Sequence, residues 1–335
     1  EVYAKIYLSN MGDNLMKKIL IITILLLLLA GCTDKGTVTS GETATTSKWE
    51  VNSNVEGMFV EPGYKIELSI SEKGKDQVTQ VDKVILEVNN KDLAIINEDG
   101  SITVNNDALS GMELEIKVKF KELSTNLGYT VLKPLGTTVD ENNRILNESD
   151  YDVVVNKKRF LSSDYVPKDL VKVNVPTQLE NPEVNQMRKI PADRLHELFE
   201  GAKKEGFTLI ARSGYRSYNT QDILYRNVVT SKGQTYADKY SAKPGTSEHQ
   251  TGLAMDITSE GVNFQLSEDF GELPESIWVK ENAHKYGFII RYPKDKEEIV
   301  GYAYEPWHIR YVGVELATKI YKSGLTMEEY FEKAY

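Results

Sequence analysis

The sequence predicts an α+β fold for the chemistry-bearing half of the chain, preceded by a small all-β domain. Two observations carry this. From about Met58 to Leu132 short segments alternate apolar and polar residues with period two, and after Tyr151 helical and strand patterns mix without regular βαβ alternation. At 335 residues the chain exceeds one ordinary domain, which fits two unequal ones with ample apolar residues for a core. Lys and Arg total 40 against 50 Asp and Glu, a formal charge of −10. That balance excludes nucleic acid or another polyanion held by bulk electrostatics, because such binding needs a basic stripe; an anionic substrate must be met by local cations.

Met16–Lys18 supply a short basic region and Ile19–Ala30 an apolar run, too short to span a bilayer comfortably and of signal-peptide length. The run ends in Leu29-Ala30-Gly31-Cys32, which resembles a bacterial lipobox. The resemblance implies that Cys32 is diacylated and becomes the mature N-terminus; the competing reading is a plain signal peptide followed by a stray cysteine. A single cysteine leaves no intramolecular disulfide to form after export. Residues 1–31 are therefore expected to be upstream sequence and lipoprotein signal peptide, with the true start at Met16 or Met11. Residues 32–57, rich in Ser, Thr and Gly, are expected to be a flexible tether to a lipid anchor on the outer face of the bacterial cell membrane.

Residues 58–132 contain "YKIELSI", "KVILEV", "LAIIN", "SITV", "LEIKVKF" and "YTVL", with a turn at Glu98-Asp99-Gly100. The strand order and the "NEDGSITV" turn are similar to bacterial immunoglobulin-like domains of surface proteins, which implies a β-sandwich spacer. The stretch has no His or Cys and nothing that points to chemistry. Polar, turn-rich residues 133–150 read as a linker, and the second domain is placed at 151–335.

In that domain Pro191–Gly206 reads as an amphipathic helix with Leu195, Leu198, Phe199 and Ala202 on one face. "FTLIARSGYRS" reads as a strand entering a loop, and "NTQDILYRNVVTSKG" as a helix capped by Asn219 with Asp222 in its first turn. Gly252 opens the strand "LAMDI"; a helix and strand follow in "IWVKENAHKYGFIIRYP", then a strand in "HIRYVG" and closing helices. His196 and His284 sit in helices without metal-spaced partners and read as packing or surface residues.

His249 and His308 remain, each with a carboxylate at a fixed offset: Asp256 after the first, Glu305 before the second. Catalytic zinc commonly takes three protein ligands and keeps the fourth position for water. Two histidines and one carboxylate fill that set, and the other carboxylate is free to act as a base. Along one straight strand the odd offset of His249 and Asp256 would place them on opposite faces, but a reversal at Gly252 lets both aim at one point. A tight turn after Pro306 is expected to do the same for Glu305 and His308.

"SEHQTGLAMD" and "EPWHIR" together resemble the VanY-like family of zinc D-alanyl-D-alanine carboxypeptidases, matching SxHxxGxAxD at Ser247, His249, Gly252, Ala254 and Asp256 and the Glu305-Pro306-Trp307-His308 element. "SGYRSYNTQ" and "NAHKYGFIIRYP" also look like that family; the resemblance covers roughly residues 153–331. It implies a zinc DD-peptidase-like fold and one Zn2+ held by His249, Asp256 and His308. Glu305 would be the general base for an activated water, and Arg216 the cation at the developing oxyanion. Ser247 and Gln221 would bind substrate, and Tyr304 and Trp307 would wall the site, with burial in the core the competing reading for each of these two. The implied substrates are peptidoglycan stem peptides losing a terminal D-alanine. An L,D-carboxypeptidase, a wall endopeptidase or a non-catalytic wall-binding lipoprotein are the competing readings; a serine peptidase is disfavoured because no GxSxG or SxxK is suitably paired.

Overall fold

The structure, a computed structural model, describes residues 47–75, 78–79 and 84–332. The apolar run and Cys32 lie outside the described residues.

The first unit is all β. Its strands are β1 (Trp49–Ser53), β2 (Phe59–Val60), β3 (Lys65–Ile66), β4 (Leu68–Glu72), β5 (Val78–Thr79), β6 (Ile85–Val88), β7 (Ala94–Ile96), β8 (Ile102–Val104), β9 (Glu113–Phe120) and β10 (Leu123–Val131). They form three sheets, ordered β1-β4-β5, β2-β10-β9-β6 and β3-β8-β7. In β9 the alternation is complete: Leu114, Ile116, Val118 and Phe120 face the core while Glu113 and Glu115 face solvent. Inward side chains of all three sheets share one core, from Trp49 through Ile66, Ile70 and Ile102 to Val131.

Two boundaries differ from the sequence expectation. β1 falls inside the stretch assigned to the tether: Trp49 packs edge-on against Phe120 at 5.1 Å and Trp49–Ser53 pair antiparallel with β4, so the folded unit starts earlier. Polarity hid this strand. Residues 133–150 are docked rather than a free linker. The Arg159 guanidinium donates to the Leu135 carbonyl (2.8 Å) and the Thr138 hydroxyl (2.7 Å), and Ile145 enters the core of the second unit.

The second unit contains β11 (Leu170–Lys172), β12 (Gln186–Arg188), α1 (Lys189–Lys204), β13 (Ile210–Ser213), α2 (Tyr218–Lys232), α3 (Gln234–Tyr240), β14 (Ala254–Thr258), α4 (Pro274–Asn282), β15 (Phe288–Tyr292), α5 (Glu297–Val300), β16 (Glu305–Tyr311), α6 (Val314–Ser323) and α7 (Met327–Glu332). Its central sheet, β13-β14-β16-β15, is antiparallel throughout. This is the α+β class expected. Leu195, Leu198, Phe199 and Ala202 of α1 join Met255, Ile257, Phe288 and Ile309 of the sheet in the main core.

The α2 start is corrected: the Ser217 hydroxyl, not Asn219, caps it by accepting the Thr220 N–H at 3.2 Å. Asp222 lies beyond the first turn and pairs with Arg226 at 2.9 Å. Leu132 of the β unit packs with Val154, Leu316, Ile320, Met327 and Phe331. At Gly111 an added Cβ would lie 2.8 Å from the Leu316 backbone, so only glycine allows that approach between the units.

Candidate metal centre and active site

His249 sits in a short 3-10 helix, Glu248–Thr251, that ends at Gly252 in the left-handed region, φ 66°. That residue reverses the chain, and Asp256 follows on β14, a strand buried along its whole length. Across the sheet Asp256 is the direct partner of His308 on β16.

Glu305 and His308 come together differently from the expected tight turn. Both belong to one strand, in which Ile290 of β15 faces Ile309 and Tyr292 faces Glu305. Two steps on β15 thus match four on β16. The extra residues bulge β16, and the bulge lets side chains three apart face the same side.

The result is a tight cluster. His249 Nε2 lies 3.4 Å from Asp256 Oδ2, and His308 Nδ1 lies 3.2 Å from Asp256 Oδ1 and 3.7 Å from Glu305 Oε2. One ligand atom from each of His249, Asp256 and His308 lies within 4.8 Å of the others, and all three residues are buried. A tetrahedral ion with bonds of about 2.0–2.1 Å separates its ligands by about 3.3 Å. The two distances from imidazole to the Asp256 carboxylate are close to that spacing.

Two further features fit a cation. Asp256 Oδ1 is buried without a well-aligned hydrogen-bond donor among the described residues, despite the nearby imidazole. Each imidazole also has its other nitrogen engaged: His249 Nδ1 with the Gly214 carbonyl at 2.7 Å, His308 Nε2 with Glu248 Oε2 at 3.2 Å. Those acceptors fix the tautomers that turn His249 Nε2 and His308 Nδ1 toward the centre.

The electrostatics separate the roles. Burial pushes the Glu305 carboxyl up to about 7, against the opposing pull of His308, which places it near neutrality for proton exchange. Burial lowers His249 to about 4, with Arg216 adding to the effect. His308 is raised to about 9: burial opposes its charge, but Asp256 and Glu248 outweigh burial. Asp256 is held below the usual carboxylate range by both histidines despite its burial. A cation bound here takes the place of the His308 proton.

Around the cluster lies a cleft lined by Arg216, Gln221, Ser247, Tyr292 and Tyr302 among others. Arg216 Nη2 is 3.7 Å from Asp256 Oδ2, and its Nη1 donates to Gln221 Oε1 at 2.9 Å; its Nε is buried without a hydrogen-bond partner among the described residues. Gln221 Nε2 in turn donates to the Ala242 carbonyl at 2.7 Å.

Arg216, Gln221 and Ser247 are thus brought to the site, while Tyr304 and Trp307 are not. Strand alternation sends Trp307 to the opposite face from His308, against the main core. The Tyr304 hydroxyl points to Gly271 and lines a different cavity. The aromatic wall of the cleft comes from Tyr240, Tyr292 and Tyr302 instead. His196 hydrogen-bonds the Asn174 carbonyl, and His284 stacks on Tyr321 at 4.0 Å, both away from the centre. Absent from the sequence expectation is Glu248, a buried carboxylate that holds the outer nitrogen of His308. Its place immediately before His249 was the available signal.

An imidazole from a short 3-10 helix and an imidazole and a carboxylate from an antiparallel sheet, with a second carboxylate poised beside them, define a site of the metallopeptidase class. A family model described as VanY, D-alanyl-D-alanine carboxypeptidase, matches residues 184–314. YodJ of Bacillus subtilis (strain 168), which bears the name of a carboxypeptidase, is 50% identical over 196 residues, 58% of this chain and 72% of YodJ. The chain belongs to the VanY family. Among solved structures, the LdcB LD-carboxypeptidase, described for its peptidoglycan recognition, is 49% identical with a TM-score of 0.56, over 58% of this chain and 92% of LdcB. A vancomycin-resistance D,D-pentapeptidase VanY variant in complex with Zn(II) is 36% identical with a TM-score of 0.44, over 55% of this chain and 99% of that one.

Proposed function

We propose that the protein is a zinc-dependent carboxypeptidase that removes the terminal D-alanine from peptidoglycan stem peptides. The observation that carries this is the placement of Glu305, 3.7 Å from one of three buried ligands whose spacing suits a tetrahedral ion. A structural metal site has no use for that second carboxylate. His249 Nε2, Asp256 and His308 Nδ1 would hold the zinc, which when bound supplies Lewis-acid polarisation of water and of the scissile carbonyl.

The chain's own groups perform the rest. Glu305, with its carboxyl near neutrality, accepts the proton of the attacking water and returns it to the departing amine. Arg216, held toward the cleft by Gln221 and Asp256, places a guanidinium where negative charge develops on the carbonyl oxygen. Ser247 offers a hydroxyl to the substrate, and the surrounding tyrosines exclude water.

The likeness to the LdcB LD-carboxypeptidase supports a second reading, cleavage of a D-alanine that follows an L-centre in a tetrapeptide. Incubation with pentapeptide and tetrapeptide stems, with zinc and with chelator, separates the two. Release from the pentapeptide that chelator abolishes supports the first; release from the tetrapeptide alone supports the second; release from neither defeats both. In the same proposal the β unit is an immunoglobulin-like spacer. Cys32 carries a lipid that anchors the enzyme outside the cell membrane, and fatty-acid labelling lost in Cys32→Ala would support that anchor.

A further inference from the structure

We propose that Glu248 positions His308 for the metal, and that it is itself fixed from behind by Arg291 and Arg310 and, through Arg291, by Glu328 of the C-terminal helix α7. The inference rests on the metal reading above and adds to it a support built from buried charges.

The division of labour within Glu248 is the main observation. The side chain is fully buried. Its Oε1 receives both guanidiniums, Arg291 Nε at 2.7 Å and Arg310 Nη1 at 2.5 Å. Oε2 is left for His308 Nε2 at 3.2 Å. With its Nε2–H engaged, the imidazole presents the Nδ1 lone pair to the centre.

Both arginines are held in turn. Arg291 forms a two-pronged pair with Glu328, at 2.8 and 2.6 Å, and Asn156 Nδ2 donates to the same carboxylate at 3.1 Å. Arg310 donates to the carbonyls of Tyr151, Val153 and Tyr311. Two guanidiniums thus balance two carboxylates in the interior.

A structural role alone is the competing reading. Buried ion pairs are weak devices for stability, because desolvation consumes much of their attraction, whereas they hold geometry well when every group is satisfied. His308 also sits on the bulged strand, and its outer nitrogen meets the Glu248 carboxylate where His249 meets a backbone carbonyl. A carboxylate in that position raises the basicity of the ligand as well as orienting it.

The test is a zinc competition titration on the full chain, with melting curves of the metal-free protein, for wild type, Glu248→Gln and Glu248→Asp. Aspartate keeps the charge between the arginines but withdraws the oxygen from His308, so it decides the matter should the glutamine variant fail to fold. We expect the zinc dissociation constant to rise about 10- to 100-fold in the folded variants. A lowered metal-free melting temperature with zinc bound as tightly as by wild type would show a structural role and overturn the proposal. Wild type that takes up no zinc would instead overturn the metal reading on which it rests.

Discussion

The two halves of the site are built by different means. His249 and Asp256 converge through backbone: a left-handed glycine reverses the chain, the Gly214 carbonyl orients the imidazole, and a buried strand carries the carboxylate. Glu305 and His308 converge through a strand bulge, and His308 is oriented by a carboxylate inside a buried ion cluster. The backbone half depends on a single residue type at one turn; the other depends on groups from β15, β16 and α7. The first should fail through strain, and the second through loss of charge or register.

The largest effect is expected from Asp256, the ligand of the first half that faces His308 of the second across the sheet. Asp256→Ala should lose zinc by more than the roughly 100-fold upper range for outer partners and abolish hydrolysis; metal analysis after dialysis reads this. Arg216→Ala should retain zinc while kcat falls about 10²- to 10³-fold, the cost of removing an oxyanion donor. Steady-state kinetics at full metal loading checks it.

Gly252→Ala tests the backbone half. A Cβ there would lie 2.9 Å from Leu170 Cδ2 and 3.0 Å from Arg188 Cγ in a left-handed conformation, with an expected loss of about 1–3 kcal/mol in a denaturant titration. For the charged half the probe is pH. The proton on metal-free His308, held to about 9, competes with the ion, so zinc affinity should climb with pH and level off above that value. A flat profile from neutrality upward would contradict proton competition at His308. The smallest effect is expected from Tyr304→Phe, which touches neither half and should leave kcat/KM within about twofold, as for substitutions away from such features.

The same contrast explains what was legible in the sequence. Gly252 between His249 and Asp256 announced a reversal because a glycine at that offset has a backbone meaning, and the α1 face showed its period plainly. The Glu305–His308 bulge is set by register against β15, a long-range pairing that local spacing does not encode, so a turn was expected in its place. Tyr304 and Trp307 flank the candidate base in sequence without lining the cleft: alternation along β16 turns Trp307 to the core, and Tyr304, just before that strand, turns toward Gly271. Glu248 was overlooked because its partners Arg291, Arg310 and His308 are 43 to 62 positions away. The tether boundary slipped because Trp49–Ser53 is mostly polar and only its pairing with β4 reveals a strand.

The most direct test of the account is Glu305→Gln, assayed for zinc content and for terminal D-alanine release side by side. The account predicts zinc content equal to wild type and kcat lower by about 10²- to 10⁴-fold, the range for losing a general base. Full zinc with undiminished hydrolysis would contradict it.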